Sequence, residues 1–218
     1  MKLKGPFLTL VTGGVLAAVL LMLSMTAAAK DSDSNAAGTP SPPAASPSAS
    51  ALPSPDASQA PVVTQAAYAG QVTRGAGTTL AIAVKDGKAV AYLCDGRRIE
   101  AWLQGTATDG NLNLTGAASA SLIGRYGSSA VGAVSAGGRQ WTFSVPIVTA
   151  PSGLYRSVAN VRNAQVVGGW IVLPGGRQVG IVTKEGRPST ATRLNTESLT
   201  ATVDGTQITA APQDGSGF

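Results

Sequence analysis

The chain has 218 residues, 44% of them hydrophobic and 12% charged, with a formal net charge of +5. It contains no histidine and one cysteine. That excludes an internal disulfide, a thiolate or imidazole zinc site, and Ser-His or Cys-His nucleophile pairs.

The N-terminus reads MKLKGPFLTLVTGGVLAAVLLMLSMTAAAKDSDS, with no charged residue from Phe7 to Ala29. As a helix that run would be about 34 Å long, enough to cross a hydrocarbon core of about 30 Å. Lys2 and Lys4 ahead of it favour a cytoplasmic N-terminus and an external remainder. Ala27-Ala28-Ala29 also fits a small-residue cleavage site, which would leave a mature N-terminus at Lys30. Residues 1–30 are therefore expected to be a transmembrane anchor or a signal peptide. The first places the protein in the plasma membrane as a single-pass protein with its C-terminal domain outside. The second secretes it after cleavage near Ala29.

From Asp31 to Ala66 the composition shifts to Pro, Ala and Ser. Such a segment buries too little apolar surface to offset its ordering entropy. Residues 31–66 are expected to be a disordered spacer with a reach of at most about 110 Å.

A third pattern begins near Ala67. Short apolar runs alternate with turn pairs: Asp86-Gly87, Asp95-Gly96, Asp109-Gly110, Gly137-Gly138, Gly175-Gly176, Glu185-Gly186 and Asp204-Gly205. Asp-Gly and Gly-Gly are hairpin signals because a type I′ turn needs positive φ at both central residues. The runs between them predict strands over TTLAIAVK, KAVAYLC, RRIEAWLQGTA, NLNLTG, ASLIGRY, AVGAVSA, RQWTFSV, QVVGGWIVL, RQVGIVTK, LTATV and TQITA. Pro146 and Pro151 predict a break, with one set of hairpins before it and a second from about Gly153. The expected fold is all-β: an antiparallel meander over 67–212 forming a closed or nearly closed barrel around one core, with a two-sheet sandwich as the alternative. Residues 213–218 read as a flexible tail.

Three strands start alike, as DGRRIEAW, GGRQWTF and GGRQVGI. Arg97, Arg139 and Arg177 thus stand at strand starts. There they solvate hairpin ends and oppose edge stacking, or they form a basic rim that meets an anionic polymer. On RRIEAWLQ, alternation places Arg98, Glu100, Trp102 and Gln104 on one face. Trp102 either covers a neighbouring strand or offers a platform for a sugar or a protein. Trp141 and Trp170 lie among apolar neighbours and read as core. Cys94, which shares a face with Val90 and Tyr92, reads as a buried small hydrophobe, with a reactive or dimer-forming thiol beside Arg97 and Arg98 as the alternative.

The acids leave little for catalysis. Asp86, Asp95, Asp109, Glu185 and Asp204 belong to turns and Asp214 to the tail, so Glu100 and Glu197 remain. No phosphate-binding glycine loop precedes a helix. No metal and no cofactor is expected, and no residue is assigned a catalytic role.

The tracts GLYRSVANVRNAQVVGGWIVLPGGRQVG and LAIAVKDGKAVAYLCDG resemble those of a group of actinobacterial envelope proteins with an N-terminal apolar segment, a Pro-rich spacer and a C-terminal β domain. The resemblance implies a membrane-anchored exported protein and implies no activity.

The leading expectation is a non-enzymatic binding module of the cell envelope. Its expected partners are the membrane, through its N-terminal helix, and anionic envelope polymers or an envelope protein. Nucleic acid is not expected, because the basic residues are dispersed and the chain is exported. The candidate binding residues are Arg97, Arg98, Glu100, Trp102, Arg139 and Arg177. A small-ligand-binding barrel is the second reading. An envelope hydrolase or transferase using Ser and Glu100 is the third.

Overall fold

The computed structural model describes residues 63–75 and 77–217. The expected N-terminal helix and nearly all of the spacer lie outside the described residues. What is described is all-β, with fifteen strands, one 3-10 turn at Ala117–Ser119 and no α-helix.

The first eight strands are β1 (Gln65–Thr73), β2 (Thr79–Lys85), β3 (Lys88–Cys94), β4 (Glu100–Thr108), β5 (Asn111–Gly116), β6 (Ser121–Tyr126), β7 (Ser129–Ala136) and β8 (Arg139–Val148). They form an antiparallel meander that closes into a barrel. The seam joins β1 to β8, through Ala67 opposite Val148 and Val72 opposite Phe143. Closure removes the open edges at which another chain would pair. The meander breaks between Val148 and Gly153, where the Ala150–Pro151 bond is cis.

The tight hairpins follow from local chemistry. Asp86-Gly87, Asp109-Gly110, Gly137-Gly138, Glu185-Gly186 and Asp204-Gly205 all have positive φ at both residues, the type I′ condition. Arg162-Asn163 has the same conformation without a glycine.

The remaining strands are β9 (Gly153–Val161), β10 (Ala164–Val172), β11 (Gln178–Lys184), β12 (Arg187–Thr190), β13 (Thr200–Val203), β14 (Thr206–Thr209) and β15 (Ala211–Pro212). Five of them make a second sheet in the order β12-β11-β10-β9-β15, and β13 and β14 pair as a separate hairpin.

Three apolar clusters replace the single core expected from sequence. Alternate residues of the barrel strands point inward, including Tyr68, Leu80, Ile82, Leu103, Leu114 and Phe143, and pack together inside it. The outward residues of β2 and β3, among them Ala81, Val90, Tyr92 and Cys94, pack against Leu154, Ile171 and Ile181 of the second sheet. The far face of that sheet buries Tyr155, Val166, Trp170 and Val182 against Ala201, Val203 and Ile208 of the hairpin. Strands β2, β3 and β10 are thus buried on both faces. That is why TLAIAVK, KAVAYLC and the end of β10 are almost unbroken apolar runs.

Residues 213–217, read from sequence as a tail, lie against the barrel. The Gln213 backbone N–H donates to the Leu154 carbonyl at 2.8 Å, and Lys85 Nζ pairs with Asp214 Oδ2 at 2.6 Å. Gly215 is buried; a Cβ there would stand 2.7 Å from the Lys85 backbone nitrogen.

Candidate functional site

The meander sorts the connections by end. The β1–β2, β3–β4, β5–β6 and β7–β8 connections share one end of the barrel. The other end carries the Asp86, Asp109 and Gly127 turns and the start of β1, where the Asp86 N–H donates to the Thr64 carbonyl. The first end holds Arg74, Arg97, Arg98 and Arg139, all exposed. The chain therefore enters the barrel at the end opposite these arginines.

The β3–β4 loop is held rigidly. Asp95 Oδ1 accepts the backbone N–H groups of Arg97, Arg98 and Ile99 at 2.8, 2.8 and 2.9 Å. Burial alone would raise the Asp95 pKa, but these N–H groups outweigh it and hold the carboxyl below the ordinary aspartate value. Thr190 Oγ1 donates to the Gly96 carbonyl at 2.7 Å, tying the loop to the second sheet. Gly96 has φ of +75°, and a Cβ there would approach Val179 to 3.2 Å.

This loop and the β7–β8 turn belong to opposite sides of an eight-stranded ring, yet they line one cleft of about 380 Å³. Asp95, Arg98, Ile99 and Glu100 contribute one wall, and Ala136, Gly137 and Arg139 the other. Ile99 and Ala136 also pack on the barrel interior, so the cleft sits in the barrel mouth with an apolar floor. Arg139 further lines a cleft of about 610 Å³ with Arg74 and Trp141, and another of about 360 Å³ with Ser119 and Ser135. It is the shared residue of this end.

Glu100 is held at the junction of barrel and second sheet. Its Oε1 accepts Tyr92 OH at 3.0 Å and Trp102 Nε1 at 3.2 Å, and its Oε2 accepts Thr183 Oγ1 at 2.9 Å. Burial, above all, pushes the Tyr92 hydroxyl well above its ordinary pKa, so Tyr92 stays a donor. Trp102 is half-buried and stacks on Tyr92, its cross-strand partner, at 4.1 Å between ring centroids. The Arg156 guanidinium lies 5.4 Å from the Trp102 ring centroid, within cation–π range. Trp102 therefore fills the space between barrel and sheet and is not an open platform.

Of the six residues singled out from sequence, Arg98, Glu100 and Arg139 share the mouth cleft, and Arg97 sits on the same loop. Arg177 is elsewhere. It lines a cleft of about 260 Å³ with Gln178, Arg193 and Trp170 of the second sheet. Sequence reading missed Arg74, because β1 follows the spacer without a strong strand signal. It also missed Gly169. A Cβ at Gly169 would stand 2.6 Å from both Trp102 Cζ2 and Tyr92 Cζ, so the glycine makes room for the stacked pair. The Gly-Gly pair inside an apolar run was the available signal for such close approach.

Among the described residues the ion pairs are Lys85–Asp214 and Lys184–Asp204, and none of the four rim arginines takes part in one. No three His, Cys, Asp or Glu side chains cluster at metal-binding distance among the described residues. Comparisons with protein-family models, curated proteins and solved structures find no match. The site is therefore read from its own chemistry.

Proposed function

We propose that the β domain is a non-enzymatic binding module that engages an anionic polymer of the cell envelope through the arginine-bearing end of its barrel. The observation that carries this reading is the convergence of Arg74, Arg97, Arg98 and Arg139 on one end, outside the ion pairs formed among the described residues, around clefts that share Arg139. Arginine forks suit phosphate and carboxylate oxygens. The domain from residue 67 carries 13 Lys and Arg against 8 Asp and Glu, which adds long-range attraction.

The location belongs to the same proposal. The apolar N-terminal segment would hold the protein at the plasma membrane with the domain outside, as in the actinobacterial envelope proteins it resembles. A spacer with a reach of up to about 110 Å would let the arginine-bearing end meet envelope polymers beyond the anchoring membrane.

Packing supports this reading over the small-ligand barrel, since inward side chains such as Leu80, Leu103 and Phe143 occupy the interior. Glu100 is committed to three donors, which supports a structural role over a catalytic one. Lys85 is a poor base: its hydrogen bond to Asp214 raises its pKa.

The test is co-sedimentation of the full chain with purified cell envelope at low and high salt. We expect binding that weakens steeply with salt and falls when Arg74, Arg97, Arg98 and Arg139 are replaced together by Gln. Failure to bind at low ionic strength would refute the proposal.

A further inference from the structure

We infer that the barrel mouth is a discrete subsite for a single oxyanion-bearing unit of that polymer, gripped between Arg98 and Arg139 over the floor made by Ile99 and Ala136. The inference rests on the reading above and adds a stoichiometric site to what would otherwise be diffuse attraction.

Three observations carry it. The cleft of about 380 Å³ falls in the size range of small-ligand sites, and barrel mouths are a recurrent place for them. Its walls come from opposite sides of the ring, the β3–β4 loop and the β7–β8 turn, so Arg98 and Arg139 line it from separate elements. The loop that presents Arg98 is fixed by three N–H bonds to Asp95 and by Thr190, which lowers the ordering cost of binding.

Two acids, Asp95 and Glu100, also line the cleft. Their charge is engaged by fixed donors: Asp95 by backbone N–H groups, Glu100 by Tyr92, Trp102 and Thr183. Neither is paired to Arg98 or Arg139, so both arginines keep their forks for an incoming oxyanion. The apolar floor fits a short carbon body attached to that group. The subsite thus selects phosphate or carboxylate on a small carbon skeleton and disfavours a bare inorganic anion.

The probes are glycerol 3-phosphate, lactate, inorganic phosphate and glycerol, titrated into the full chain and followed by calorimetry. We expect saturable one-to-one binding of glycerol 3-phosphate or lactate, weaker binding of inorganic phosphate and none of glycerol. Whichever of the first two binds more tightly names the oxyanion. Arg98→Lys and Arg139→Lys keep the charge but lose the fork. Each should lower affinity for the small probe about tenfold or more, while Arg125→Lys, exposed on β6 away from the rim, leaves it unchanged. The same variants, assayed against cell envelope, separate the two proposals. Salt-sensitive envelope binding that tolerates Arg98→Lys and Arg139→Lys, with no saturable small-probe binding, overturns the subsite and leaves the rim standing. Equal or tighter binding to phosphatidylglycerol vesicles, retained in both lysine variants, also overturns it.

Discussion

Cys94 illustrates how a lone reactive-looking residue is disarmed by its surroundings. It is fully buried among outward residues of the barrel wall, and its Sγ accepts the Gly96 N–H at 3.1 Å. Burial pushes the thiol up to about 11, so almost none is thiolate at neutral pH. Thiol reagents should label it slowly in the native protein and rapidly in denaturant. Cys94→Ser keeps an acceptor for Gly96 but buries a hydroxyl, and should destabilise by about 1–2 kcal/mol in a urea titration. Glu100 gives the opposite lesson: a carboxylate that stands out in sequence proves to be the acceptor for three side chains. Glu100→Gln keeps acceptor capacity, whereas Glu100→Ala strands Tyr92, Trp102 and Thr183. The alanine variant should be less stable than the glutamine variant by about 1–3 kcal/mol.

At the scale of the element, β10 is the most constrained strand. Gly168 lies under Trp170, where a Cβ would meet its ring at 2.3 Å, and Gly169 lies under the Tyr92–Trp102 pair. Gly169→Ala should therefore destabilise by about 1–3 kcal/mol through overpacking. It should also disturb the tryptophan fluorescence, since Trp102 must shift. The 213–217 segment is held by chemistry that responds to pH. The hydrogen bond from Lys85, with the Ser216 N–H next, holds the Asp214 carboxyl well below the ordinary aspartate value. A folded pKa below the unfolded one means a contribution present above the unfolded value, about 3.9, and lost as pH falls through the folded one. Hydrogen-exchange protection at residues 213–217, relative to the unfolded chain at the same pH, should be present at neutral pH and lost in acid. In Asp214→Asn that protection should be reduced at both.

At the scale of the whole molecule, the shared cluster of Val90, Tyr92, Cys94, Ile171 and Ile181 couples the barrel to the second sheet. Thermal unfolding monitored by tryptophan fluorescence and by far-ultraviolet circular dichroism should give coincident transitions. A chain truncated after Val148 would expose that wall as a contiguous apolar patch and should aggregate. Export is tested separately. External protease on wall-stripped cells should release a folded fragment beginning near Gln65, and protection of the domain would refute the external location.

What the sequence determined alone was everything encoded within a few residues. The turn pairs announced the hairpins, because positive φ at Asp86-Gly87 or Gly137-Gly138 is a property of those residues and their immediate neighbours. Alternation marked the inward face of β4, Ala101 and Leu103, but on β3 the face read as core, Val90, Tyr92 and Cys94, is the one that meets the second sheet. Four strands escaped, among them the short β12 and β15. β1 is a string of small residues, QAAYAGQVT, that becomes a strand by pairing with β2 and β8. β9 runs into a turn, Arg162-Asn163, that carries no glycine. What only the tertiary structure decided was which face of each strand meets water and which loops meet each other. Whether Trp102 covers a neighbour or stands open could not be read from β4, because that strand gives no hint of the second sheet that packs on it. Arg98 and Arg139 line one cleft only because β1 and β8 close the ring. That closure joins residues some seventy-five positions apart in the chain, and no local pattern encodes it.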